Sequence, residues 1–223
     1  MSTDITDVLR RTDLFRSVPA GEIEAIVAEA RLRTFRRGQV VFTTGDPGDS
    51  LLVVLSGRVK VVARSVDGDE LTLAIVQPGN VFGELSVTDG GPRSADAEAL
   101  EESRLLVVPR EAVQDVCSRV PSVALALANS IAATLRRLTE EASDLVFLDL
   151  PRRVAKVLLA QPRDGDGNIR QKMNQEQLAH QVGGSRQSVN IALRGFERRG
   201  WIEVHGRAVT VKEAAALGRF VGT

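Results

Sequence analysis

FGELSVTDGGPRSA, residues 82–95, places a carboxylate and a guanidinium nine residues apart in a stretch rich in glycine and small hydroxyl side chains. By residue chemistry alone, Glu84 and Arg93 form either a salt bridge across a loop or the two ends of a binding site for a small polar ligand. Gly83, directly before the carboxylate, would let the backbone approach such a ligand closely. Both interpretations stay open until the surrounding sequence is considered.

The sequence on both sides of this stretch predicts antiparallel β-structure. Between residues 36 and 110, short β-branched runs such as LLVVL, VKVVA and LTLAIV alternate with glycine-rich turns such as GDPGD, SGR and QPGN. Such a pattern predicts seven or eight short strands in a sandwich or jelly-roll barrel. Asp67-Gly68 predicts a two-residue hairpin turn. Before this region, residues 4–32 have apolar residues at helical spacing and predict two short helices.

A long helix is predicted from Pro121 to Phe147. Its apolar residues alternate in steps of four and three, at Ala124, Ala128, Ile131, Leu135, Leu138, Ala142 and Leu145. A strict heptad pattern favours a two-stranded coiled coil, so we expect a homodimer through residues 124–145. A helix that packs on its own domain also needs an apolar stripe, and this alternative stays open. Pro151 ends the pattern, and we expect a domain boundary there.

The residues after the boundary predict a helix-turn-helix. Asn174 and Gln177 resemble a capping box, Gly183-Gly184 predict a tight turn, and Ser185 predicts the cap of a second helix. Near its start, the second helix presents polar side chains that can reach base edges in a major groove, namely Arg186, Gln187, Ser188 and Asn190. WIEVHGRAVTV, residues 201–211, predicts a two-stranded wing. The alternative is a helical hairpin without DNA.

The distribution of charge favours DNA. Residues 150–223 contain 13 Lys+Arg and 6 Asp+Glu, a net charge of +7, whereas the other 149 residues contain 16 and 23, a net charge of −7. A basic third on an acidic body suggests that one end binds a polyanion.

Composition and motifs argue against several other classes of protein. The lone Cys117 excludes an internal disulfide and a cysteine-ligated iron–sulfur cluster, and we expect it to be a packing residue. We see no metal-ligand spacing and no nucleophile–base arrangement, and we expect no enzymatic activity. The sequence contains no apolar run long enough to span a bilayer and no signal-peptide pattern at its N-terminus, so we expect a cytoplasmic protein without a membrane association.

Taken together, these motifs resemble the cyclic AMP receptor protein (CRP/FNR) family of bacterial transcription regulators. FGELS…PRSA resembles the phosphate-binding cassette of cyclic-nucleotide-binding domains, FLDLPRRVAKVLL the hinge and the first helix of the DNA-binding domain, and QEQLAHQVGGSRQSVN the helix-turn-helix. The resemblance implies an α+β fold in three parts: a cyclic-nucleotide-binding β-roll (jelly roll) with N-terminal helices at 1–120, a dimerisation helix and hinge at 121–149, and a winged helix-turn-helix at 150–223.

The resemblance also implies a ligand and its contacts. Cyclic AMP, or cyclic GMP as the alternative, would bind with its phosphate on Arg93 and Ser94 and its ribose 2′-hydroxyl on Glu84. Backbone N–H groups near Gly83 and Leu85 would face the phosphate. The complete expected ligand site is Val61, Leu73, Phe82, Gly83, Glu84, Leu85, Arg93, Ser94, Leu138 and Thr139. The expected DNA-binding residues are Asn174, Gln175, Ser185, Arg186, Gln187, Ser188 and Asn190, with a palindromic operator and RNA polymerase as partners.

Two departures from the family pattern affect specificity. Cyclic AMP receptors offer a Thr-Ser pair to the adenine, and Leu138-Thr139 replaces it here, so three outcomes stay open: cyclic AMP bound with altered affinity, preference for cyclic GMP, or a helix already packed in its active form. Gln187 replaces a carboxylate, and Ile191 replaces a cation that contacts bases or phosphates. We therefore expect an altered operator at the base pair read by Gln187. The rival is a regulator of the same architecture that binds DNA without a cyclic nucleotide or senses another small anion.

Overall fold

The computed structural model describes residues 2–161, 169–172, 175–206 and 208–222. Contacts divide the chain into two compact units, Met1–Arg136 and Arg137–Thr223. The first unit begins with the two predicted helices, α1 (Ser2–Arg11) and α2 (Ala20–Glu29). Ile23 and Ile26 of α2 are buried in the same apolar cluster as Leu9 of α1, which explains why this short helical pair is stable.

Eight strands follow, which agrees with the predicted seven or eight. They are β1 (Arg31–Phe35), β2 (Val40–Phe42), β3 (Ser50–Ser56), β4 (Val59–Arg64), β5 (Glu70–Val76), β6 (Val81–Phe82), β7 (Asp96–Ala99) and β8 (Ser103–Pro109). Two antiparallel four-stranded sheets result, in the orders β1-β8-β3-β6 and β2-β7-β4-β5. Buried residues from both sheets, including Leu52, Leu105, Ala97 and Val59, form one cluster, as expected for a β-roll.

The two-residue hairpin predicted at Asp67-Gly68 is wrong. The connection between β4 and β5 has five residues, Ser65–Asp69. The two-residue turn expected at Asn-Gly or Asp-Gly needs a positive φ at both central residues. Among the described residues only glycines have a positive φ, and here it is Gly68, at 89°. The N–H of Gly68 donates to the carbonyl of Ser65, and the N–H of Asp69 donates to the Ser65 hydroxyl, so the longer turn is stabilised locally.

Three further helices belong wholly or partly to the first unit, and the last of them continues into the second unit. A short helix, α3 (Glu84–Asp89), follows β6, and α4 (Arg110–Arg119) follows β8. The predicted long helix is α5 (Pro121–Phe147), which confirms its bounds. Among the described residues no single helix is long and apolar enough to cross a membrane; α4 and α5 pass that test only as a pair, and the pair is bent by 119°.

The two ends of α5 differ in their packing. Val123 and Leu127 are buried in the core formed with α1, α2 and α4, and Ile131 packs against that core. Further along, the side chain of Leu135 is 64% exposed. Other residues of the predicted seam are also exposed, namely Ala124, Ala128, Ala142 and Leu145, whereas Leu138 is half-buried. The early part of α5 is therefore a core helix of the first unit, and an exposed apolar stripe remains along it.

The second unit forms a winged helix-turn-helix. Its elements after α5 are α6 (Leu150–Leu159), β9 (Ile169–Lys172), α7 (Gln175–Val182), α8 (Arg186–Arg198), β10 (Ile202–His205), β11 (Ala208–Val211) and α9 (Ala214–Val221). Asp149 caps α6 by accepting from the N–H of Arg152 at 2.9 Å. The predicted wing strands β10 and β11 pair, and β9 adds a third strand that we did not predict. The helix α9 was also not predicted, although Leu217 and Val221 have the spacing of a buried helical face.

Candidate functional sites

Gly83 makes the turn between β6 and α3. Its φ is 78°, in the left-handed region that disfavours other residues. A Cβ built on Gly83 would lie 2.4 Å from Nη1 of Arg93, closer than real side-chain contacts permit. Glycine is therefore required here twice, by the backbone conformation and by the arginine packed against it.

Arg93 is the charged group around which the loop is built. The side chain is only 4% exposed. Nη1 donates to the carbonyl of Gly83 at 3.1 Å, and Nη2 donates to the carbonyl and the hydroxyl of Ser50 at 2.8 and 3.0 Å. The guanidinium also lies over the ring of Phe42, 4.4 Å from its centroid. Nε is buried and has no hydrogen-bond partner among the described residues.

An unpaired buried donor on a cation is unfavourable unless something else satisfies it. The Nε of Arg93 is such a donor, and the same guanidinium is packed against the left-handed turn at Gly83. These features fit a small anionic group such as a cyclic phosphate. The sequence-based alternative, a simple ion pair between Glu84 and Arg93, does not describe the loop, because among the described residues Arg93 bonds to Gly83 and Ser50 and forms no salt bridge with Glu84.

The electrostatics of Glu84 and Arg93 reflect burial more than mutual attraction. Burial raises the pKa of Glu84 above its ordinary value, although a backbone hydrogen bond and the charge of Arg93 act in the opposite direction. Burial lowers the pKa of Arg93, and the neighbouring charge of Arg110 adds to this effect, while Asp49 opposes it. Both groups are therefore partly desolvated, which strengthens their interaction with any charged or polar ligand.

A second loop fixes the backbone of Arg93. The N–H of Gly45 donates to the carbonyl of Arg93, and the N–H of Arg93 donates to the carbonyl of Asp46, both at 2.9 Å. The start of this loop is fixed in turn by Asp96, whose Oδ1 accepts from the N–H and the hydroxyl of Thr44 at 2.7 and 2.9 Å. Sequence reasoning missed Phe42, Thr44, Ser50 and Asp96, because their roles depend on contacts between segments that are distant in the sequence.

The other predicted ligand residues differ in burial, and two of them lie in the second unit. Phe82 is buried in the sheet cluster, 5.7 Å from the ring of Phe42 between centroids, and Val61 packs against the same cluster. Leu73 is half-buried and is the extra residue where the pairing of β4 with β5 shifts register. Leu85 and Ser94 are exposed. Leu138 and Thr139 belong to the second unit, so their contact with a nucleotide base stays a prediction.

The helix-turn-helix is formed by α7, α8 and the turn between them. Gly183 has a φ of 61°. A Cβ on Gly184 would lie 2.5 Å from Cδ1 of Leu150, so the turn packs tightly against α6. The predicted cap is present: the hydroxyl of Ser185 accepts from the N–H of Ser188 at 3.1 Å. This cap fixes the start of α8, the end of the helix that reads bases in helix-turn-helix proteins.

Arg186 and Gln187 are the exposed polar side chains at the start of α8. Asn190 is placed differently, because its Nδ2 donates to Oε1 of Gln175 at 3.1 Å and joins α8 to α7. Asn190 and Gln175 thus contact each other, and their contact with DNA stays a prediction. Asn174 lies outside the described residues. The Asn190–Gln175 bond connects the two helices across 15 residues, and no local pattern in the sequence indicated it.

A β-roll with a glycine-rich loop around a buried arginine, together with a winged helix-turn-helix, defines the class of regulators that combine a cyclic-nucleotide-binding domain with a DNA-binding domain. Residues 32–120 match the family model of the cyclic nucleotide-binding domain, and residues 152–220 match that of the Crp-like helix-turn-helix domain. The chain belongs to the CRP/FNR family of transcription regulators.

Relatives match over almost the whole chain. The CRP-like cAMP-activated global transcriptional regulator of Mycobacterium tuberculosis is 36% identical over 219 residues, which cover 96% of this chain and 98% of the relative. The cyclic AMP receptor protein of Thermus thermophilus is 35% identical over 94% of this chain and 96% of the relative. Among solved structures, the c-di-GMP-responsive regulator CLP of Xanthomonas campestris has a TM-score of 0.76 and 25% identity, covering 86% of this chain and 99% of that chain.

Proposed function

We propose that the chain is a homodimeric transcription regulator that is controlled by cAMP bound in the β-roll and that binds a palindromic operator. The observation that carries the ligand part is the environment of Arg93: a buried guanidinium with an unpaired Nε beside a left-handed glycine. The relatives support the choice of cAMP, because those from M. tuberculosis and T. thermophilus are cAMP-activated or cyclic AMP receptors.

The proposed ligand contacts follow from the chemistry of a cyclic nucleotide, which supplies a phosphate monoanion and a free ribose 2′-hydroxyl. Arg93 would hold the phosphate, with Ser94 and the backbone N–H groups near Gly83 and Leu85 as further donors. Glu84 would accept from the 2′-hydroxyl. The pocket around the base and the ribose would be lined by the apolar side chains of Val61, Leu73 and Phe82. Leu138 and Thr139 stay the proposed contacts to the base, and in the proposed dimer Thr139 would form its hydrogen bond from the partner chain.

Dimerisation through residues 124–145 is supported by the exposed stripe of α5. Leu135 and Leu145 are 64% and 46% exposed in the single chain, and burying them against a second copy would remove apolar surface from water. A two-fold dimer explains a palindromic operator, because two copies of α8 would enter successive major grooves about 34 Å apart. The division into 1–120, 121–149 and 150–223 belongs to this proposal, and so does an interaction with RNA polymerase.

The DNA contacts are proposed for the start of α8 and the residues around it. Arg186 and Gln187 are exposed there, and their side chains can bond guanine and adenine edges respectively. The remaining proposed contacts are Asn174, Gln175, Ser185, Ser188 and Asn190. Of these, Ser185 and Ser188 lie at the helix start, where backbone and hydroxyl groups commonly contact phosphates.

A second candidate is a regulator of the same architecture with another ligand, such as cGMP or another small anion, or with none. Two observations favour keeping it: Leu138 cannot hydrogen-bond a base, and the structurally similar regulator CLP responds to c-di-GMP. Where the second candidate has a ligand, its anionic group would also bind at Arg93, and the two candidates differ in which molecule, if any, controls DNA binding.

DNA binding measured with and without nucleotide distinguishes these candidates. An operator is first selected from random duplexes by the full-length chain, and its affinity is then measured by fluorescence anisotropy with cAMP, cGMP, c-di-GMP or no addition. The proposal predicts tighter binding with cAMP than with the other three conditions, and a dimer in sedimentation. Equal affinity in all four conditions would favour ligand-independent operation, and a monomer on DNA would contradict the dimer.

A further inference from the structure

One face of α8 consists of exposed side chains at helical spacing. Gln187, Ile191, Arg194 and Arg198 lie at i, i+4, i+7 and i+11, and all four are exposed. The opposite face is buried in the core of the second unit, through Val189, Ala192, Leu193 and Phe196. The exposed face begins at the proposed base-reading end of the helix and ends in two arginines. A polar side chain followed by two cations is typical of a surface that contacts a nucleic acid.

Ile191 differs chemically from the rest of this face. Its side chain is 64% exposed, and it lies one turn after Gln187 and one turn before Arg194. Single exposed apolar residues are common on protein surfaces and by themselves indicate nothing. Here the position matters, because a helix that places Gln187 against a base edge also places Ile191, about 6 Å further along its axis, against the floor of the same groove.

The chemistry of the major groove offers one apolar group to such a side chain. Thymine presents its 5-methyl there, whereas the other three bases present only hydrogen-bonding groups and ring atoms. Isoleucine can neither donate to a base nor pair with a phosphate, and the neighbouring Arg194 and Arg198 supply the cations that phosphates require. An isoleucine in a major groove can therefore distinguish bases only by contact with a methyl group.

We propose that Ile191 is a specificity-determining residue that recognises thymine through its 5-methyl group, within about two base pairs of the pair read by Gln187. This inference rests on the proposed function, since it requires α8 to enter a major groove. It adds a base preference at a second position of the operator, independent of the hydrogen bonds made by Gln187.

Replacing thymine by deoxyuridine tests this inference, because the exchange removes the methyl group and leaves every hydrogen bond intact. Each thymine of one half-site of the selected operator is exchanged singly, and affinity is measured for the original chain, Ile191→Ala and Ile191→Val. We expect one thymine whose exchange weakens binding by the original chain about fourfold, as for one buried methyl. Ile191→Val should keep most of that sensitivity, and Ile191→Ala should lose it.

Exposure of Ile191 makes both variants compatible with folding, and thermal unfolding of each checks this directly. The inference is overturned by a chain that binds its selected operator specifically but shows the same uridine sensitivities in the original form and in Ile191→Ala. Selection that returns no consensus sequence would instead contradict the proposed function, and the inference with it.

Discussion

Nη1 of Arg93 donates to the carbonyl of Gly83 at 3.1 Å and lies where a side chain on Gly83 would have to be. The two residues are ten positions apart, and this contact closes the loop between them. The left-handed turn at Gly83, the short helix after it and the buried guanidinium are thus packed together in one loop structure. The predictions for the ligand site follow from this contact and from the loop that fixes Arg93 behind it.

Gly83→Ala should destabilise the fold more than the same change at Gly68. Both glycines have a positive φ, 78° and 89°, so each substitution carries the backbone penalty of about 1 kcal/mol. Only Gly83 has a neighbour in the way, since a Cβ on Gly68 would meet nothing within 4 Å. Displacing Arg93 should add about 1–3 kcal/mol to the loss. Urea unfolding of the two variants measures the difference, and equal losses would contradict the close packing at Gly83.

Glu84→Gln should stabilise the protein at neutral pH. Burial raises the pKa of Glu84 above its ordinary value of 4.5, so the folded state binds more protons than the unfolded state between these two values. Stability contributed by this group therefore falls as pH rises through that window. The advantage of the glutamine variant should grow as pH rises above 4.5 towards pH 7 and disappear below pH 4.5, where both side chains are neutral.

Glu101→Gln is the matched control, because Glu101 titrates in the opposite direction. The hydrogen bond from Arg58 lowers the pKa of Glu101, so its contribution to stability is present above 4.5 and is lost as pH falls through the lowered value. Urea unfolding from pH 4 to pH 7 should thus show opposite signs for the two variants. A Glu84→Gln variant that is less stable at pH 7 than the original chain would contradict a half-buried carboxylate whose charged form is disfavoured by desolvation.

Asp96→Asn should weaken the loop that holds Arg93. The hydrogen bond from the Thr44 N–H lowers the pKa of Asp96, and the Thr44 hydroxyl and Arg64 add to this effect against the desolvation of the carboxylate. Loss of these charged hydrogen bonds should reduce the free energy of unfolding by about 1.5–3 kcal/mol at pH 7. Because the pKa is lowered, the contribution of Asp96 is present above 3.8 and is lost as pH falls through the lowered value.

Unfolding at pH 7 and at pH 3 checks the prediction for Asp96, with Asp89→Asn as the control. Asp89 is exposed and accepts one backbone hydrogen bond, from Gly91, so its substitution should have a small effect. If the difference in free energy of unfolding between the original chain and Asp96→Asn is the same at pH 7 and at pH 3, the charge of Asp96 does not contribute to stability.

Gln187→Glu should change the operator that the chain prefers. A glutamine can bond adenine through two groups, whereas a glutamate can accept from the amine of cytosine. We expect the variant to prefer cytosine over adenine at the contacted position, a change of about 1–3 kcal/mol. Competition binding with operators altered at single base pairs measures it. Gln181→Glu introduces the same charge on α7, and it should leave the order of preference among the operators unchanged.

Local sequence patterns predicted the elements whose formation depends on interactions between residues close together in the sequence. The heptad pattern and Pro121 gave the bounds of α5, and the Ser185 cap lies where the sequence suggested. The β-branched runs predicted seven or eight strands, and eight are present. Failures came where a pattern was short or a contact was long-range. IRQK has one apolar residue, and its backbone forms β9 because β11 provides a hydrogen-bonding edge.

The ligand loop shows the same limit within one site. Glu84 and Arg93 were recognisable from the sequence as charges in a glycine-rich stretch. The partners of Arg93 were not, because Ser50 begins β3, 43 residues away from the loop that carries Arg93, and Phe42 contacts the guanidinium through its ring face. Asn190 was assigned to DNA from its position on α8, and its bond to Gln175 could be seen only once the two helices were packed.

Calorimetric titration with cAMP and with cGMP tests the central claim most directly, using the original chain, Arg93→Ala and Arg58→Ala. Arg58 pairs with Glu101 outside the loop, so its substitution removes an arginine from the same β-roll without touching the site. We predict micromolar binding of cAMP that Arg93→Ala abolishes and Arg58→Ala preserves, with circular dichroism showing that both variants are folded. Absence of heat with either nucleotide from the folded original chain, or unchanged binding by Arg93→Ala, would contradict the account.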